Sequence, residues 1–204
     1  GEGRVLGNLG LTYDSLGQYE RAIDFYAQAL AIFREIGDRV GEATALGNLG
    51  DAYDSLGQYE LAIDFHRQQL AISREIGDRL IESRALGNLG VTYRNLGQYG
   101  RAIDLYEQRL AIAREIGDRT GEGRALGNLG IVYDSLGQYE RAIDFYEQRL
   151  AIAREIGDQT GESVALGNLG VAYARLGEYE RAIDFHTQAL ELFRELGGRT
   201  EEGS

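Results

Sequence analysis

Apolar residues recur along this chain at spacings of three and four. Between residues 45 and 84, Leu46, Leu49, Tyr53 and Leu56 form one series; Tyr59, Ala62, Ile63, His66, Leu70 and Ile76 form a second. That rhythm places each series on one face of an α-helix and excludes the alternation of a strand. Gly57 closes the first series and Gly77 the second, each suited to the left-handed conformation that ends a helix. Asp78 then offers a side-chain oxygen to the free N–H groups of the next helix, and Glu82 adds negative charge near its start. The pattern predicts a unit of helix A, tight turn, helix B, tight turn.

The same unit returns every 40 residues without insertion. Leu-Gly-Asn-Leu-Gly starts at Leu6, Leu46, Leu86, Leu126 and Leu166, and Tyr13, Tyr53, Tyr93, Tyr133 and Tyr173 keep the step. A fixed period of this length is the mark of a stacked repeat array, in which no unit buries its apolar stripes alone. The expected division is one array of five units, residues 5–44, 45–84, 85–124, 125–164 and 165–204, with no second domain. Gly1-Glu2-Gly3-Arg4 matches Gly121-Glu122-Gly123-Arg124, and Glu202 aligns with Glu42, Glu82, Glu122 and Glu162. Both ends therefore fall inside inter-repeat segments. The expectation is a piece of a longer array, or a designed array of near-identical units, whose uncapped ends associate head to tail.

The residues Asn48-Leu49-Gly50, Tyr53, Gly57, Tyr59, Ala62, Ile63 and Leu70 resemble the tetratricopeptide (TPR) signature. The 40-residue form, with Ala111 to Asp118 reading Ala-Ile-Ala-Arg-Glu-Ile-Gly-Asp, is similar to the TPR domains of the LGN/Pins group, to kinesin light chain repeats and to bacterial, especially cyanobacterial, arrays. The resemblance spans the whole chain. It implies an all-α fold, a right-handed superhelical α-solenoid of five TPR helical hairpins, with helix A lining a concave groove and helix B outside. It also implies an adaptor that holds a protein or peptide and is not an enzyme.

Within helix A, Asn8, Asn48, Asn88, Asn128 and Asn168 recur between two glycines. Each of those glycines costs about 1 kcal/mol against Ala in a helix interior, so close approach of another group is the expected compensation. Gly50 is expected to admit helix B, and Gly47 to leave the groove floor bare beside the amide. An amide donates and accepts, which suits a peptide backbone; in the resembling families the matching Asn contacts the bound peptide. The competing reading has each Asn bonding a neighbouring helix. Three groove columns vary while the framework stays fixed: Arg4, Thr44, Arg84, Arg124 and Val164; Leu11, Asp51, Val91, Ile131 and Val171; Asp14, Asp54, Arg94, Asp134 and Ala174. Arg84, Arg124 and Arg94 predict a local basic patch for acidic residues or a terminal carboxylate, and Val91 and Ile131 predict apolar contacts. A chaperone-tail carboxylate clamp does not match, because Gly7, Gly47, Gly87, Gly127 and Gly167 stand where it needs Lys.

Composition narrows the alternatives. The 204 residues carry 21 basic and 33 acidic side chains, a net charge of −12, which argues against nucleic acid. No apolar run approaches the roughly 20 residues of a membrane span. The chain has no Cys, which removes thiolate chemistry and Cys-based metal sites and fits a cytoplasmic setting. His66 and His186 replace Tyr26, Tyr106 and Tyr146 in one helix B column, three units apart, and are expected as partly buried packing residues, not metal ligands. The Asp24, Asp64, Asp104, Asp144 and Asp184 column is expected to bond a neighbouring turn, and Glu75 to be solvated. No cofactor is expected. Two further readings stay open: a self-assembling structural array, and the docking or sensor region of a larger signalling enzyme.

Overall fold

A computed structural model describes residues 1–202, with side chains described through residue 195. The described residues form ten helices: α1 (Glu2–Ser15), α2 (Tyr19–Ile36), α3 (Arg39–Ser55), α4 (Tyr59–Ile76), α5 (Arg79–Asn95), α6 (Tyr99–Ile116), α7 (Arg119–Ser135), α8 (Tyr139–Ile156), α9 (Gln159–Arg175) and α10 (Tyr179–Glu202). Odd-numbered helices are the A helices and even-numbered ones the B helices. The architecture is an all-α solenoid of helical hairpins.

The helix ends follow the local chemistry. Gly57 and Gly77 take φ of +71° and +70°, a conformation closed to most side chains. Asp38, Asp78, Asp118 and Asp158 each accept a hydrogen bond from the backbone N–H three residues on. In the fifth unit that Asp is replaced by Gly198, and α10 continues past Gly197 to Glu202 without the turn its siblings make.

The chain divides into two compact units, Gly1–Ile112 and Ala113–Ser204. In the first, α1 touches α3 and α3 touches α5, while α2 packs against α1 and α3, and α4 packs against α3 and α5. In the second, α7 touches α9, and α8 packs between them. Closer spacing of A helices makes theirs the inner side within each unit. The first core gathers Tyr26, Leu30, Phe33, Leu46, Leu49 and Ile72; the second gathers Ile143, Tyr146, Leu150, Leu166, Leu169 and Tyr173. Four hairpins stack a helix A tyrosine on a helix B phenylalanine, such as Tyr53 on Phe65 with ring centres 5.3 Å apart. On α10, by contrast, Tyr179, Ile183 and Phe193 are each about two-thirds exposed.

The inter-repeat turn carries an ion cluster. Arg74 Nε donates to Glu82 Oε1 at 2.8 Å, and Arg79 Nη1 donates to Glu82 Oε2 at 2.5 Å. Glu42 and Glu122 hold the equivalent pairs of arginines. Burial pushes the Glu82 carboxyl up, but the two guanidiniums outweigh it and hold it below the ordinary range. Glu75 is solvated, as expected, and in addition pairs with Arg39, as its equivalent Glu155 pairs with Arg119. The Asp24 column departs from expectation. Its five carboxylates are exposed; Asp24, Asp104 and Asp144 accept from Gln28, Gln108 and Gln148 through their backbone carbonyls, whereas at Asp184 the carboxylate Oδ2 accepts from Gln188 Nε2 at 3.1 Å.

Candidate functional site: the helix A face

The Leu-Gly-Asn-Leu-Gly segment puts its leucines into the core and leaves its Asn at least partly exposed on helix A. Leu46 and Leu49 are buried, whereas Asn48, Asn88, Asn128 and Asn168 are half-buried and Asn8 is exposed. Among the described residues, none of these five side-chain amides hydrogen-bonds to protein, and the Asn168 Nδ2 is enclosed without an acceptor. A polar group in that state seeks an outside partner.

The two glycines flanking each Asn do different things. A Cβ on Gly10, Gly50, Gly90, Gly130 or Gly170 would lie 2.4 or 2.5 Å from the Tyr or His ring of the facing helix B. These glycines admit that ring, as expected. The preceding glycine corrects an expectation. A Cβ on Gly47 would meet Gln69 Nε2 at 2.4 Å, one on Gly87 would meet Arg109 Nη1 at 2.2 Å, and one on Gly127 would meet Arg149 Nη1 at 2.3 Å. The floor beside Asn48, Asn88 and Asn128 is therefore covered by a long helix B side chain. It is bare only at Gly7 and Gly167, where nothing lies within 4 Å, because the facing residues are Ala29 and Ala189.

The predicted cations sit as follows. Arg4, Arg84 and Arg124 are exposed, and no ion pair engages them among the described residues. Arg94 is half-buried, and its Nη2 donates to Asn95 Oδ1 at 3.3 Å. Val91 and Ile131 are half-buried on α5 and α7. Sequence reasoning missed Arg109 and Arg149. Arg109 is buried, and Arg149 is half-buried. Burial pulls the Arg149 guanidinium below its ordinary value; Asp158 opposes that pull and Arg124 adds to it. Two cations thus share one small region of the second unit. The available signal was the helix B column Ala29, Gln69, Arg109, Arg149 and Ala189, which turns polar inside an otherwise apolar stripe.

His66 is fully buried, more so than predicted, while His186 is exposed. His66 Nε2 lies 3.6 Å from Asp51 Oδ1, too far for a strong hydrogen bond. Burial lowers its pKa to about 4, so the imidazole is neutral at pH 7. Among the described residues no group of three His, Cys, Asp or Glu side chains could hold a metal, and no helix is long and apolar enough to cross a membrane.

A profile described as tetratricopeptide repeat matches residues 1–75, 42–115, 81–155 and 150–195. The chain belongs to the tetratricopeptide repeat family. No curated protein sequence matches it. Among solved structures, BtubC from P. vanneervenii is similar with a TM-score of 0.84 and 23% identity over 95% of this chain and 80% of that one. A putative kinesin light chain from Podosopora anserina with nearly identical TPR-like repeats gives 0.76 and 21%, with 95% of each chain covered. A Rap protein complexed with competence and sporulation factor gives 0.83 and 19% over 95% of this chain and 54% of that one. Tetratricopeptide arrays are protein-interaction scaffolds, and this chain has their fold.

Proposed function

We propose that this tetratricopeptide array binds an extended peptide segment along its helix A face, without catalysing a reaction. The observation that carries the reading is the set of helix A amides at Asn8, Asn48, Asn88, Asn128 and Asn168, which make no side-chain hydrogen bond among the described residues. At Asn8, Asn48, Asn88 and Asn128 the amide can donate to a peptide carbonyl and accept from a peptide N–H, whatever the peptide's side chains; at Asn168 the Nδ2 is enclosed, which leaves its oxygen as the accepting group. Arg4, Arg84, Arg94 and Arg124 supply positive charge beside them, and Arg109 and Arg149 supply more from helix B. A segment with acidic residues fits that charge despite the net −12 of the chain, because charge-assisted contacts act at short range. The similar Rap protein, complexed with competence and sporulation factor, is in keeping with this reading.

The test is to replace Asn48, Asn88 and Asn128 by Ala together and to select displayed random peptides on both proteins. Asn is a weaker helix former than Ala, so the fold should hold. Each lost amide contact is worth about 0.5–1.5 kcal/mol, and the triple variant should bind selected peptides at least about 10-fold more weakly. Undiminished affinity with an unchanged melting curve would remove the amides from the function.

A further inference from the structure

The first hairpin differs from the next three in what lies beneath its amide. Where Gln69, Arg109 and Arg149 cover Gly47, Gly87 and Gly127, the first repeat has Ala29 facing Gly7, as the fifth has Ala189 facing Gly167. In the first repeat a pocket of about 320 Å³ opens there between α1 and α3. Leu11, Tyr26, Ala29, Phe33, Val40 and Ala45 supply its apolar lining. In the fourth repeat Arg149 stands at the position of Ala29 and covers Gly127, its Nη1 lying 2.3 Å from where a Cβ on that glycine would be.

We propose that the pocket over Ala29 is an anchor site for one bulky apolar side chain, of Leu or Phe size, from the bound segment; this rests on the peptide-binding reading above. Volume supports it, since a cavity of about 150 Å³ takes a benzene ring. Chemistry supports it too. Leu11 and Val40 are 48% and 53% exposed, leaving apolar surface that an apolar occupant would remove from water. The polar groups around the pocket include Asn8 and Asn48, so a segment held by those amides lies beside the opening.

The site is distinguished from the general groove by Ala29→Arg, the residue that the fourth unit carries at this position, with Ala29→Gln, the second unit's residue, as a second variant. Both long side chains already fold over a glycine in this array. The probes are N-acetyl-leucinamide, N-acetyl-phenylalaninamide and N-acetyl-glycinamide, followed by amide NMR shifts of Gly3, Gly7 and Gly41. The two bulky amides should shift these signals in the native protein, the glycine amide should not, and Ala29→Arg should abolish the effect. In selected peptides, replacing the apolar anchor by Gly should weaken binding by roughly 10–100-fold in the native protein and hardly at all in either variant. Equal response to the glycine amide, no response to any amide, or an unchanged response in both variants would overturn the proposal. If selected peptides bind through the Asn row without an apolar preference, the anchor fails and the groove reading stands. If the bulky amides bind but no peptide does, the anchor stands and the groove reading fails.

Discussion

The paired glycines of the Leu-Gly-Asn-Leu-Gly segment make a sharp energetic prediction, because the same substitution in the same motif should change sign with its neighbours. Replacing a helical Gly by Ala gains about 1 kcal/mol of intrinsic propensity. At Gly167 nothing lies within 4 Å of the new methyl group, so Gly167→Ala should stabilise by roughly that amount. At Gly90 the methyl would stand 2.4 Å from Tyr106 Cε1 and 2.8 Å from Cδ1. Tyr106 is 0% exposed, so its ring has nowhere to retreat. Overpacking of this kind costs about 1–3 kcal/mol, and with so short a contact the cost should exceed the propensity gain. We expect Gly90→Ala to destabilise by about 1–2 kcal/mol, leaving a gap between the variants of about 2–3 kcal/mol. Guanidinium unfolding followed by circular dichroism reads this, fitted with nearest-neighbour terms because repeat arrays need not unfold in two states. Equal stability of the two variants would refute the view that the second glycine exists to admit the helix B ring.

Two further predictions concern pH. His66 has a folded pKa of about 4, below its unfolded value of 6.5, so the unfolded chain binds the proton first and the His66 contribution to stability falls as pH drops from 6.5 towards 4, against the opposite trend of Asp51, which burial raises to about 7. Changing His66→Tyr, the residue of three sibling units, should remove on the order of 3 kcal/mol of that acid sensitivity at most, read from denaturant midpoints at pH 7 and pH 4.5. Glu82 titrates below its ordinary range, so its contribution is present above about pH 4.5 and fades as pH falls through the depressed value. Glu82→Gln should cost about 1 kcal/mol at pH 7, because its arginine partners are 52% and 40% exposed, and the difference from the native protein should vanish in acid.

Much of the fold was legible because its determinants are local. Apolar spacing fixed the helix faces, and Gly57, Gly77 and Asp78 act within one turn of where they stand. The Asn and Arg columns on helix A were equally readable, since a helical residue's face follows from its own neighbours in sequence. What could not be read depends on the register between helices. That Gln69 lies against Gly47, or Arg149 against Gly127, requires knowing how far α4 and α8 slide along their partners. Glu82 was seen as a helix-start charge, but its capture by Arg74 follows from the turn bringing two helix ends together. The Asp24 column invited a repeat-wide bonding role for its carboxylates, and these lie exposed.

An array of near-identical units can tell one ligand from another only through columns that differ. The groove columns through Arg84, Val91 and Arg94 vary at the surface, where a substitution alters one contact. The column through Ala29, Gln69, Arg109 and Arg149 varies one layer deeper. There a single change alters shape and charge together: Ala29 leaves Gly7 bare beside a pocket of about 320 Å³, while Arg149 covers Gly127 and adds a cation beside Arg124. Because the glycine of helix A tolerates either state, the framework does not have to move. The recurring Gly-Asn pair then has a joint logic. On the proposed reading the amide would give every repeat the same grip on a peptide backbone, and the glycine beside it lets helix B decide, repeat by repeat, whether the floor is bare, as at Gly7, or filled by Gln or Arg, as at Gly47 and Gly127.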